Sequence, residues 1–192
     1  MGTDIHGFVE CRAAYRTLEV EDVSGWYGAI DLELLYGGRD YDAFGCLFGV
    51  RNCAGFRPLA AERGLPGDAS DETRQGYEAW GRDAHGATWI GWEELSRVDW
   101  DERAERVDDR VHEFTRDPSG GWVPAGKGFW GRADRPEGDE WIQDGRLFRQ
   151  VRVSRRDAVP ERGAWAPVWA TMRALADVHG DEHVRLVVWF DN

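Results

Sequence analysis

Two residues near the start of the chain, Asp4 and His6, have the types and spacing to do chemistry together. They lie in Met1-Gly2-Thr3-Asp4-Ile5-His6-Gly7-Phe8-Val9-Glu10. The segment reads as a strand, in which alternation places Asp4, His6, Phe8 and Glu10 on one face and Ile5, Gly7 and Val9 on the other. An Asp and a His two positions apart have Cα atoms roughly 6.6 Å from each other on one surface, close enough to hold one metal ion or one water. At the far end of the sequence, Val184-Arg185-Leu186-Val187-Val188-Trp189-Phe190 is strongly strand-like and leads into Asp191-Asn192. Antiparallel pairing of the first and last strands brings Asp4 to Asp191, a convergence that is expensive without a cation or proton to offset it. Asp4, His6 and Asp191 are therefore the expected ligands of a divalent metal ion.

Two further groups complete the expected site. His85, in Asp83-Ala84-His85-Gly86, reads as a loop residue able to swing in as an extra ligand or general acid. Arg51 follows the helical run that ends near Gly49 and suits a clamp for an anionic group. This assembly predicts a small metal-dependent hydrolase acting on a phosphoester or nucleotide-like substrate. His6, His85 and Arg51 are its catalytic side chains, and the ion supplies an activated water. A non-catalytic binding protein is the alternative, either sequestering a nucleotide or acting as an acidic decoy. Each residue also has a plainer reading: a structural Asp4–His6 pair, a solvated Asp191, an idle His85, and an Arg51 that complements a helix C-terminus. His179 and His183 are four apart, but Gly180 breaks the helix between them and removes the zinc reading.

The elements that must position these groups are uneven in clarity. Residues 3–12 and 24–36 predict two strands, the second carrying Ile30, Leu32 and Leu34 in alternation, joined as a hairpin through the turn-like residues 21–25. Tyr41, Phe44, Leu47 and Phe48 fall at helical spacing. Residues 53–90 read as a long irregular segment with one helical turn at 71–80, and Trp89 to Leu95 as entry into a brief helix. Residues 99–114 read as helix, 117–145 as a second surface excursion rich in Gly and Trp, and 146–153 as a strand. Trp165, Val168, Trp169, Met172, Leu175 and Ala176 predict a C-terminal helix stopped by Gly180. The expected fold is α+β in one domain, residues 1–192. It has an antiparallel sheet holding both terminal strands, a C-terminal helix on one face, and two long Trp-bearing loops.

Composition narrows the partners. The net charge of −12, from 24 basic against 36 acidic residues, disfavours direct binding to a nucleic-acid backbone and leaves a small anionic or nucleotide-like ligand. Three cysteines without a C-x-x-C pair, no apolar run of membrane-spanning length and no leader-like start predict a cytoplasmic protein with no membrane contact. Eleven tryptophans exceed ordinary usage and call for packing platforms or exposed aromatic surfaces.

Several motifs together resemble a family of uncharacterised proteins from bacteria and their phages. They are the opening Met-Gly-x-Asp-Ile-His, Tyr41-Asp42-Ala43-Phe44 with Val50-Arg51-Asn52, Gly64-Leu65-Pro66, His85 with Trp89 and Glu94-Leu95, and the closing Val184 to Asn192. The resemblance covers most of the chain and implies a shared fold. A phage setting implies an anti-defence or nucleotide-handling role.

Overall fold

The computed structural model describes residues 2–12, 25–129 and 135–192. Its elements in chain order are β1 (Asp4–Cys11), β2 (Tyr27–Asp31), α1 (Tyr41–Phe48), α2 (Asp71–Trp80), β3 (His85–Gly91), α3 (Trp92–Leu95), β4 (Val111–Arg116), β5 (Trp122–Gly128), β6 (Glu140–Gln143), β7 (Arg146–Arg149), α4 (Arg155–Ala158), α5 (Ala166–His179) and β8 (Val184–Asp191). The architecture is α+β, with two antiparallel four-stranded sheets, β2-β1-β8-β3 and β5-β4-β7-β6. Contacts divide the chain into two compact units. One comprises Met1–Asp40, Leu59–Asp99 and Val159–Asn192; the other comprises Tyr41–Pro58 and Trp100–Ala158.

In the first unit, β1 and β8 are the inner strands and pair in continuous register from Asp4↔Asp191 to Cys11↔Val184. Every residue of β8 from Val184 to Phe190 is buried, as expected for a strand covered on both faces. One face carries His6, Phe8 and Glu10 with Trp189, Val187 and Arg185, and α2 lies on it. Ser70 caps this helix by accepting from the Thr73 N–H at 3.1 Å, and Asp71 and Glu72 complement the dipole of its first turn. A side chain in place of Gly76 would put its Cβ 3.0 Å from Phe8 and 3.1 Å from Trp189, so glycine lets the helix settle closely on the strands. Helix α5 also packs on β1 and β8 and is left the opposite face, where Ile5, Val9, Leu186, Val188 and Phe190 are buried.

A buried ion pair locks α2 to this sheet. Glu10 is fully buried and accepts from the Ser70 N–H at 2.8 Å, the Thr73 hydroxyl at 2.6 Å and Arg185 Nε at 2.7 Å. Arg185 continues to Asp68 and lies 3.8 Å from the Trp26 ring centroid. Each polar atom thus has a partner, the condition under which a buried charge is tolerated.

In the second unit, β4 pairs with β5 and β7, and β6 with β7. Asn52 holds the turn after α1 by donating to the Phe56 carbonyl at 2.7 Å and accepting from the Phe56 N–H at 3.0 Å. Asp108, fully buried in its side chain, accepts from Arg110 and His112, and Arg110 also pairs with Asp42, which pairs in turn with Lys127.

Several expected elements differ. Residues 99–114 are not a helix: their charged stretch is tied by side-chain bonds such as Asp108–Arg110, and only its end forms β4. The excursion at 117–145 contains the strands β5 and β6, and the segment 53–90 contains the ten-residue α2 and the strand β3. The second hairpin strand is shorter than expected, because Leu32–Leu34 turn into a 3-10 helix after β2. The hairpin pairing of β1 with β2 is present. Most of its proposed turn, residues 21–24, lies outside the described residues.

Candidate functional site

The open end of the first sheet gathers the residues singled out at both ends of the sequence. Asp4 faces Asp191 across the β1/β8 ladder, and the Asp4 N–H donates to Asp191 Oδ1 at 3.2 Å. Thr3 donates its hydroxyl to Asn192 Oδ1 at 2.8 Å. The strand between them needs glycine. At Gly7, φ is 153°, and an added Cβ would fall 2.0 Å from the Val187 carbonyl oxygen. That close approach fixes the level at which His6 stands beside β8.

His6 is 9% exposed and held on three sides. Its Nδ1 lies 3.0 Å from Glu33 Oε1, its ring sits 4.0 Å from that of Trp80, and its Nε2 points toward Asp191 Oδ1 at 3.6 Å. Nε2 is buried and has no hydrogen-bond partner. Glu33 reaches the ring because Asp31 Oδ1 accepts from the Glu33 N–H at 2.9 Å and starts the 3-10 turn. Trp80 reaches it because α2 ends there, one residue before Gly81 with φ 55°.

Asp4 has a different role from the one expected. Arg39 grips both its carboxylate oxygens, Nε to Oδ1 at 2.5 Å and Nη2 to Oδ2 at 2.6 Å. This guanidinium holds the Asp4 carboxyl below the usual range. A carboxylate so engaged is a poor first ligand for an ion.

His85 does not join the cluster. It lies in β3 rather than a loop and pairs with Phe190, and its ring stacks on Phe190 at 6.2 Å. Phe190 is one residue from Trp189 and Asp191 along β8, so His85 belongs to the opposite face of the sheet. Arg51 belongs to the second unit, where it is exposed with φ 54° and lies over the Tyr41 ring at 5.9 Å. Of the five residues expected in one site, the structure brings together Asp4, His6 and Asp191.

Three partners were missed by sequence reasoning. Glu33 was hidden by a strand-like alternation, although Asp31 before Leu32-Glu33-Leu34 is an N-cap signal. Arg39 and Trp80 carry no local signal, because their places depend on long-range packing. Among the described residues, no group of three or more His, Cys, Asp or Glu side chains is arranged to hold a metal ion. The site can still supply two donors, His6 Nε2 and Asp191 Oδ1. Two ligands of one ion at bond lengths near 2 Å stand roughly 3.3 Å apart in tetrahedral geometry, close to the observed separation. Glu33 on the other ring nitrogen is the partner that orients a metal-bound imidazole.

Comparison of the chain with protein-family models, with curated proteins and with solved structures gives no match.

Proposed function

We propose that His6 and Asp191 hold one divalent metal ion and that the protein uses it as a small hydrolase of a phosphoester or nucleotide-like substrate. The observation that carries this reading is the buried, unpartnered Nε2 of His6, 3.6 Å from Asp191 Oδ1, with Glu33 on the opposite ring nitrogen. One imidazole and one carboxylate leave most of the coordination sphere to water and substrate oxygens. That suits Mn²⁺ or Mg²⁺ better than the closed four-ligand set of a structural zinc site. A bound ion lowers the pKa of its water and polarises a phosphoryl oxygen. Glu33 fixes the ring, and Arg39 keeps Asp4 charged beside the site without making it a ligand.

A second reading, binding without catalysis, is favoured by the same Arg39 clamp, which engages both oxygens of Asp4, and by the Trp80 ring packed on His6. Elemental analysis of untagged protein, followed by melting with and without Mn²⁺ and assay on a generic phosphodiester, separates the two. Metal with turnover supports the hydrolase, and metal without turnover supports the binding protein. Absence of metal together with an unshifted melting temperature would falsify both forms of the metal reading.

A further inference from the structure

The second sheet carries a cleft that no sequence motif pointed to. Its volume is about 520 Å³, within the roughly 300–1,000 Å³ of small-molecule sites. The strand register builds it: Glu113 pairs with Phe148, Phe148 with Trp141, and Arg146 with Gln143, so all five side chains emerge on one face of β4, β7 and β6. At one end the hairpin Asp144-Gly145, with φ 51° and 76°, turns tightly and adds Asp144 to the wall. At the other, Arg135 lies 4.1 Å from the Trp141 ring, which itself stacks on Phe148 at 5.4 Å with a 15° interplanar angle.

From these walls we infer that the cleft binds a nucleoside monophosphate. Phe148 is buried and Trp141 is covered by Arg135, so the flat surface offered to a planar heterocycle is the outer face of the Arg135 guanidinium, which the Trp141 indole backs. Arg135 pairs with Asp139 and Arg146 with Glu113, yet a guanidinium has five N–H donors and one carboxylate occupies at most two. The remaining donors are available to a phosphate, and Arg146 is 59% exposed in its side chain. Gln143 and Asp144, both exposed, supply donor and acceptor groups for the edge of a base. The neighbouring carboxylates and the net charge of −12 oppose a polyanion, so a single nucleotide is favoured over a nucleic-acid strand.

The site lies wholly within the second unit and is independent of the metal proposal. Calorimetric titration with adenosine and guanosine monophosphates, the two nucleosides and inorganic phosphate tests it. Binding of at least one monophosphate is expected, with its nucleoside and free phosphate at least tenfold weaker. Arg146→Gln and Trp141→Ala should each weaken binding tenfold or more, and Trp141→Phe should retain most of it. Arg146 pairs with the buried Glu113, so Arg146→Gln should lower the melting temperature, and the titration is run below that transition with the native near-ultraviolet circular dichroism confirming a folded protein. The inference is overturned if neither monophosphate binds, if a nucleoside binds as tightly as its phosphate, or if binding survives Arg146→Gln and Trp141→Ala.

Discussion

Gly7 shows how a single position sets the geometry around His6. A methyl group there would meet the Val187 carbonyl oxygen at 2.0 Å, and neither backbone can retreat without breaking the β1/β8 ladder. Gly7→Ala should destabilise the fold by about 3 kcal/mol or more, read as a lower denaturant midpoint at unchanged slope. Asp4 behaves differently, because its pair with Arg39 is well exposed. A double-mutant cycle of Asp4→Asn with Arg39→Gln should give a coupling of only about 0.2–1 kcal/mol. The alternation that groups Asp4, His6 and Glu10 was legible in the sequence, since strand period is a local property. The face taken by His85 was not, because it depends on the irregular register between His85 and Thr88. Nor was the capture of Asp4 by Arg39, 35 residues away.

Helix α2 is held by chemistry at one end and by packing along its length. Glu10 and Arg185 are both buried, and three donors converge on the Glu10 carboxylate. Removing one partner leaves the other charged and buried, so Arg185→Leu should cost about 3–5 kcal/mol, whereas the double change Glu10→Leu with Arg185→Leu should recover part of that loss. Equilibrium unfolding of the three variants checks this. Because Trp80 ends the same helix, loosening its start should also increase exposure of His6. The terminal strands and α5 were readable because long apolar runs and regular helical spacing outweigh local propensity. The second sheet was obscured because β5 and β6 are exposed strands of mixed composition, marked locally by their turns, Asp117 to Gly121 before β5 and Asp144-Gly145 after β6.

Across the whole chain, tryptophan and arginine are used together. Trp26, Trp89, Trp92, Trp122 and Trp141 each lie beneath an arginine guanidinium, and Lys127 is the sole lysine. Planar, forked guanidinium groups can stack on indole while bonding a carboxylate, which an ammonium cannot match. This accounts for much of the aromatic content as packing and leaves fewer exposed platforms than composition suggested. The same charge networks set the response to acid. Burial pushes the Asp108 carboxyl up, but hydrogen bonds from His112 and Arg110 outweigh it and hold it well below the usual range. For Asp42 the bonds from Lys127 and Arg110 likewise overcome burial. A carboxyl depressed in the folded state contributes fully above its ordinary value near about 3.9 and loses that contribution as pH falls through the folded value. Melting followed by near-ultraviolet circular dichroism should therefore decline below about pH 4, and Asp108→Asn should flatten that decline while lowering stability at pH 7.

The metal proposal sorts the residues at the end of the first sheet in a way that a purely structural cluster does not. Calorimetric titration of Mn²⁺ into metal-stripped wild-type protein, His6→Ala, Asp191→Asn and Asp4→Asn should show binding near one equivalent in the wild type, little change in Asp4→Asn, and loss of at least tenfold in affinity in the other two. No Mn²⁺ binding by the wild type, or equal binding by His6→Ala in its folded fraction, would contradict the proposal.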